Sequence, residues 1–131
     1  MIEFHLDPRS GVATYLQIVQ QVKESIRLGT ISVGDQLPTV REVVADLAIN
    51  PNTVAKAYRD LEREGLVVAR QGRGTFVAST LVPAASLRHY KALRVELERW
   101  LAAAVGLGLD EESIRALISA TLRESLARRV A

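Results

Sequence analysis

A stripe of polar side chains in the middle of the chain has the residue types that recognise nucleic acid. Its members are spaced by four, three and four residues, and they are Asn52, Lys56, Arg59 and Arg63. In a helix this spacing places all of them on one face. An amide can make two hydrogen bonds to adenine, and an ammonium can reach guanine or a phosphate. The pattern predicts a basic recognition face; the alternative is a solvated helix face without a partner.

Thr53 and Arg41 extend this set. Thr53 lies beside the stripe and suits a phosphate or a thymine methyl group. Arg41 falls in the first turn of another predicted helix, where a cation opposes the helix dipole and does not add local stability. A phosphate partner would explain Arg41; the alternative is a surface ion pair with Glu42 or Asp46, which would contribute little.

A glycine-rich segment, Gln71 to Gly74, separates two apolar or β-branched runs and predicts a hairpin with a four-residue tip. Gly72 and Gly74 would let the backbone approach a phosphate closely, and Arg73 between them could enter a narrow minor groove. The alternative is that both glycines serve only the turn. The position of the hairpin, directly after the polar helix, favours a role in binding.

Predicted helices precede and carry the polar stripe. The first begins at a capping box of Thr14 and Gln17 and ends at Gly29. The second begins at a capping box of Thr39 and Glu42 and is about ten residues long. Both have apolar residues at helical spacing, so they can pack together.

The third predicted helix carries the stripe itself. Asn50 caps it, Pro51 occupies its first position, where the missing N–H costs nothing, and Gly65 ends it. Three helices followed by a hairpin is the order of a winged helix-turn-helix, in which one helix enters the major groove. We therefore expect a mainly α fold with a small β hairpin, and a DNA-binding domain over residues 1–80.

Residues 81–131 form a second predicted region. Leu81 to Ser86, with Pro83, is typical of a linker; one helix then ends near Gly106, and Asp110 caps another. Two helices alone cannot fully bury the apolar stripes of both, so some of that surface should meet the first domain or a second copy of the chain. We favour a second copy. The residues assigned to this dimerisation surface are Leu93, Leu97, Trp100, Leu101, Ile114, Leu117, Ile118 and Leu122.

Composition limits the alternatives. The chain has 131 residues, 48% of them hydrophobic and 24% charged, as in a globular protein, and it contains no cysteine. We expect a cytoplasmic protein with no membrane partner, since no signal peptide or membrane-spanning run is present. With two histidines and no phosphate-binding loop, we expect no enzymatic activity, no metal and no cofactor. Net charge is only +2, so overall basicity does not argue for nucleic acid.

Four motifs together resemble the GntR family of bacterial transcription regulators. They are Leu37-Pro38-Thr39-Val40-Arg41-Glu42, Asn50 to Tyr58, Glu64-Gly65-Leu66 and Gly72-Arg73-Gly74-Thr75-Phe76-Val77. The resemblance covers about residues 11 to 78, and the Asn-Pro-Asn-Thr-Val variant with a short helical tail is similar to the YtrA-type subfamily. It implies a homodimer that binds an imperfectly palindromic double-stranded DNA operator, usually as a repressor, often of a transporter operon of the ATP-binding-cassette type.

The resemblance also assigns residues. It places the family's arginine of the second helix on Arg41 and the wing motif on Gly72, Arg73 and Gly74, in agreement with the roles predicted from the residues. Many members have arginines early in the recognition helix where this chain has Pro51 and Ala55, so Asn52, Thr53 and Lys56 must substitute. Ala48 stands where glycine is frequent, at a cost of up to about 1 kcal/mol if the position needs a positive φ.

Two questions stay open from the sequence. A winged helix can also serve as a protein-interaction module without sequence-specific DNA binding, and it would then not need the basic outer stripe. A small-molecule effector is uncertain, because about 45 residues of tail are few for a metabolite pocket, although a dimer interface could supply one.

Overall fold

A computed structural model describes residues 2–82 and 84–130 of the chain. This part is mainly helical with one two-stranded antiparallel hairpin, as the sequence predicts. The elements are α1 (Thr14–Arg27), α2 (Val40–Leu47), α3 (Pro51–Arg63), β1 (Val67–Arg70), β2 (Gly74–Val77), α4 (Ala84–Gly106) and α5 (Glu111–Val130). They divide into two compact units, one ending at Leu87 and the other beginning at Arg88. None of the described helices is both long and apolar enough to cross a membrane.

The predicted capping box at the start of α1 is wrong. Ala13 is the N-cap residue, and no side chain caps the helix. The Gln17 amide instead binds the preceding segment: its oxygen accepts from the Asp7 N–H at 2.7 Å, and its nitrogen donates to the Asp7 carbonyl at 2.9 Å. The side chain is buried, so its amide must find partners, and the segment before α1 provides them.

The predicted caps of α2 and α3 are confirmed. The Glu42 N–H donates to the Thr39 hydroxyl at 3.1 Å, the Thr39 N–H donates to the Glu42 carboxylate at 3.3 Å, and the Asn52 N–H donates to the Asn50 side chain at 2.8 Å. Helix α2 has eight residues, fewer than expected, because Ala48 adopts the left-handed conformation with φ 53° and ψ 45°. That conformation ends the helix and turns the chain toward α3.

The core of the first unit lies where α1, α2 and α3 meet. Its largest fully buried side chains are Ile18, Val22, Leu37, Val54 and Leu61. Full burial of one such aliphatic side chain contributes about 1.5–3 kcal/mol. Tyr58, also buried, donates its hydroxyl to the Pro38 carbonyl at 2.6 Å. This bond fastens α3 to the residue before the α2 cap.

The hairpin is shorter at its tip than predicted. Arg70 pairs with Gly74, so the loop is Gln71 to Arg73, three residues instead of four. A segment that the sequence did not predict, residues 34–37, adds to the outer edge of β2: the Leu37 N–H donates to the Thr75 carbonyl at 2.8 Å. The wing is thereby hydrogen-bonded to the chain that leads into α2.

The second unit consists of α4 from Arg88 onward and of the whole of α5. Helix α4 begins at Ala84, so the predicted linker over 81–86 is partly helical; Pro83 lies outside the described residues. The prediction that Asp110 caps α5 is confirmed, since its carboxylate accepts from the Ser113 N–H at 2.8 Å. The Ser113 side chain and this backbone bond lower the pKa of Asp110.

Candidate nucleic-acid interface

Helix α3 buries one face and presents the other to solvent. Val54, Ala57, Tyr58 and Leu61 are buried. On the opposite side Asn52, Lys56 and Arg59 are exposed, and Thr53 is half-buried beside them. At the end of the stripe, a guanidinium nitrogen of Arg63 lies 3.4 Å from a carboxylate oxygen of Asp60 on the same helix. The first turns of α3 therefore present amide, hydroxyl and ammonium groups on one accessible surface.

Lys56 has a neighbour that the sequence did not suggest. Its ammonium nitrogen lies 3.9 Å from the centre of the Tyr15 ring, in the first turn of α1. A cation over an aromatic face at this distance is attracted by the ring quadrupole. Sequence periodicity assigns Tyr15 only to the apolar stripe of α1, so this contact could not be found without the packing of α1 against α3.

Arg41 is exposed in the first turn of α2. Within residues 2–82 and 84–130, no carboxylate oxygen lies within 4.0 Å of its guanidinium, so the alternative pair with Glu42 or Asp46 is not formed. The Glu42 carboxylate is engaged by the Thr39 backbone in the capping box. A cation and the positive end of a helix dipole therefore act together at this point, which favours an anion from outside the chain.

The tip of the wing depends on its glycines and on Gln36. Gly72 and Gly74 have φ values of 76° and 121°, which favour glycine. The Gln36 amide donates to the Arg73 carbonyl at 3.1 Å, and a Cβ atom on Gly74 would lie 2.6 Å from the same amide nitrogen. Gly74 therefore leaves room for the side chain that holds the tip. Sequence reasoning missed Gln36, and no motif marked it.

The wing tip and the start of α2 share one concave surface. Thr39, the α2 cap, and residues Ala69 to Thr75 of the hairpin line a depression of about 450 Å³. Arg73 is exposed, and in the described part of the chain no carboxylate lies within 4.0 Å of it. The same part of the chain has no group of three or more His, Cys, Asp or Glu side chains that could hold a metal ion. The groups gathered here are donors and cations, which suit an anionic partner.

The second unit contains a separate apolar groove between α4 and α5. Its volume is about 410 Å³, and its lining is Leu97, Trp100, Leu117, Ile118, Thr121, Leu122 and Ser125. Among the residues assigned to dimerisation, Leu93, Leu97, Leu117 and Leu122 are 45–58% exposed, whereas Leu101 and Ile114 are half-buried. The predicted surface is thus largely uncovered in the single chain.

Proteins of one known family share sequence similarity with the region that contains these elements. The model of "Bacterial regulatory proteins, gntR family" matches residues 14–77. The HTH-type transcriptional repressor YtrA of Bacillus subtilis is 49% identical over 73 residues, which are 56% of this chain and 56% of that protein. The uncharacterised HTH-type transcriptional regulator YhcF of the same organism is 35% identical over 106 residues, 81% of this chain and 87% of that protein.

Solved structures of related proteins are similar to this chain in fold as well as in sequence. YtrA from Sulfolobus acidocaldarius, a GntR-family transcription factor, has a TM-score of 0.55 and 36% identity, covering 76% of this chain and 97% of that chain. AraR(DBD) in complex with operator ORX1 has a TM-score of 0.51 and 31% identity, covering 57% of this chain and 93% of that one. The family match, together with the long alignment to YhcF, shows that this chain belongs to the GntR family of helix-turn-helix transcription regulators.

Proposed function

We propose that this regulator is a repressor that binds a twofold-symmetric operator as a homodimer. The observation that carries the proposal is Arg41, an exposed cation against the positive end of α2 with no carboxylate within 4.0 Å in the described residues. Such a cation does not stabilise its own helix, so an external phosphate is the partner that accounts for it. The AraR(DBD)–operator complex, similar in fold to the first unit, supports DNA as that partner.

In this proposal α3 lies in the major groove, as the second helix of a helix-turn-helix does. Asn52 reads adenine, and Lys56 donates to guanine or to a phosphate. Thr53 contacts a phosphate or a thymine methyl group. Arg59, farther along α3, contacts the DNA backbone. These roles rest on exposure and residue type, since each of these side chains is accessible at least in part.

The start of α2 and the wing flank that helix. Arg41 binds a phosphate, the backbone at Gly72 and Gly74 approaches the sugar-phosphate chain, and Arg73 enters the minor groove. The depression between Thr39 and the wing supports this arrangement, because it is open and its lining residues carry no carboxylate that would repel a phosphate. Binding to an operator implies that the chain acts in the cytoplasm.

The tail supplies the symmetry. Two copies join through the exposed apolar groove of α4 and α5, and the symmetric dimer binds half-sites about one helical turn apart, about 34–36 Å. The name of YtrA from Bacillus subtilis supports repression, and the family resemblance supports an ATP-binding-cassette transporter operon as the target. Transcript levels across the genome, with and without the protein, would test both points.

The primary test is selection of bound duplexes from a random DNA pool at a stated salt concentration. The wild-type protein should enrich a twofold-symmetric sequence. Arg41→Ala should weaken binding to all sequences, and it should lower the salt dependence of the affinity by about 0.9 for each phosphate that is no longer neutralised, one in each subunit. Arg115→Ala, which removes a cation paired with Glu111 in α5, is the matched control for net charge and should leave the salt dependence unchanged.

Asn52→Ala tests base recognition separately from phosphate binding. It should reduce discrimination at one position of each half-site by about 1–3 kcal/mol while the salt dependence stays the same. Absence of an enriched sequence, or normal selection by both variants, would contradict the proposed function. Partner binding that persists in Lys56→Glu without any DNA selection would point to the protein-interaction alternative.

A further inference from the structure

The contact between Lys56 and Tyr15 joins the recognition helix to a helix outside the helix-turn-helix. Tyr15 lies in the first turn of α1, is half-buried, and packs against the hydrophobic core. The Lys56 nitrogen lies 3.9 Å from the centre of its ring. Because the core holds the ring, the ring defines a position for an ammonium group on the outer face of α3.

This position matters because lysine is among the most flexible side chains. A free lysine loses much rotamer freedom when it is fixed against a base or a phosphate. In the described part of the chain, no carboxylate lies within 4.0 Å of the Lys56 nitrogen, and the Tyr15 ring is the group found over it. The ring takes one side of the ammonium, so N–H donors stay available for a DNA acceptor.

We propose that Tyr15 is a positioning residue for Lys56, through which α1 helps to determine which base is accepted opposite Lys56. The inference rests on the proposed function, since it assumes that Lys56 contacts a base and not only a phosphate. Tyr15 itself need not touch DNA. It restricts Lys56 before binding, and therefore lowers the ordering cost of the interaction and narrows the set of bases that the ammonium reaches.

The contact can be measured first without DNA. In the intact free protein, the ε-methylene protons of Lys56 should show an upfield ring-current shift in the NMR spectrum. Tyr15→Leu should abolish the shift, and Tyr15→Phe, which keeps the ring, should retain it. A Lys56 spectrum that is the same with and without the ring at position 15 would overturn the proposal.

The functional test is a double-mutant cycle on the duplex enriched by the wild-type protein. Tyr15→Leu should weaken binding about two- to five-fold for each half-site, the equivalent of about 0.5–1 kcal/mol for an exposed cation–π contact. It should also broaden the base preference at the position that Lys56→Met broadens. Tyr15→Phe should restore both, and Gln20→Ala, an exposed change on the same helix, is the control.

The cycle distinguishes positioning from a structural role. In the Lys56→Met background, Tyr15→Leu should have no further effect on affinity; an equal loss in both backgrounds would overturn the proposal. Thermal unfolding of each variant shows whether it folds normally. If Tyr15→Leu is defective in folding, Tyr15→Met replaces it as a second variant without a ring. If the wild-type protein enriches no duplex, the proposed function and this inference are overturned together. If it enriches a duplex and the losses of affinity from Tyr15→Leu and Lys56→Met add, the inference alone is overturned.

Discussion

The hydroxyl of Tyr58 holds the recognition helix against the chain before α2. Its bond to the Pro38 carbonyl, 2.6 Å long, is buried and joins residues 20 apart in sequence. Burial, and to a lesser extent the nearby Glu42 carboxylate, raises the pKa of this phenol well above its ordinary value of 10.0. The neutral form of Tyr58 is therefore part of the folded state.

Tyr58→Phe should lower the free energy of unfolding by about 1 kcal/mol, because it removes a hydrogen bond and leaves the Pro38 carbonyl without its buried donor. Urea denaturation at neutral pH measures the change. Tyr15→Phe is the matched control: among the described residues its hydroxyl makes no hydrogen bond, so its effect on unfolding should be small. Equal losses in both variants would contradict the assigned role of the Tyr58 bond.

The same residue predicts a pH dependence. In the unfolded chain Tyr58 loses its proton near pH 10, whereas in the folded chain the raised pKa keeps it neutral. The unfolded state is then favoured by deprotonation, so the stability from this group is present below pH 10 and is lost as the pH rises above it. The wild-type protein should lose more stability than Tyr58→Phe between about pH 9 and 11 in denaturant titrations.

At the scale of elements, the relative direction of α2 and α3 depends on one residue with positive φ. Ala48 adopts φ 53° and ψ 45°, a conformation that costs an L-residue about 1–2 kcal/mol. The sequence resemblance suggested that glycine is frequent at this position, and the structure shows that Ala48 adopts the left-handed geometry. The strain of a left-handed L-residue is thus located in the turn between the two helices.

Ala48→Gly should raise the free energy of unfolding by up to about 1 kcal/mol, since relief of the strain exceeds the added entropy of the unfolded chain. Ala45→Gly is the matched control, because Ala45 is an exposed residue inside α2. The same chemical change should there destabilise the protein by about 0.5–1 kcal/mol. Thermal or denaturant unfolding measures both variants, and destabilisation by Ala48→Gly would contradict the argument.

For the whole molecule, the proposed dimer makes a prediction about the apolar groove of the tail. Leu122 is 56% exposed on the apolar groove, whereas Leu107 is 82% exposed in the turn between α4 and α5. A symmetric interface contains each substitution twice, once from each copy, so one change at its centre acts on both copies. A monomer would also lack the gain in affinity that comes from binding two linked half-sites.

Leu122→Asp should weaken self-association about 100-fold or more, because each copy brings a charge into an apolar interface whose central residues are worth about 2 kcal/mol or more. Analytical ultracentrifugation measures the dimer constant, and operator affinity should fall with it. Leu107→Asp, the control, introduces the same charge away from the groove and should leave the dimer intact. A wild-type protein that stays monomeric at micromolar concentration would contradict the proposed dimer.

Local chemistry in the sequence was sufficient to predict the order of helices and wing, the caps Thr39, Asn50 and Asp110, and the family. The caps depend on groups within three residues of one another, whose geometry the helix itself dictates. The predicted box at Thr14 was wrong because Gln17 has partners outside the helix, in the segment that begins ten residues earlier, at Asp7. Local rules cannot choose between a local and a distant partner.

The tertiary structure alone decided four features of the candidate site: the Tyr15 contact to Lys56, the Pro38 bond of Tyr58, the residue 34–37 segment beside β2, and the Gln36 contact to the wing tip. In each case the two partners lie far apart along the chain and meet only once the core has packed. Residue types and spacing in the sequence determined the helical face and the caps and predicted which residues would recognise DNA. The packing of α1, α3 and the wing decided which neighbours contact these residues, because such contacts follow from burial of the shared core and not from spacing along the chain.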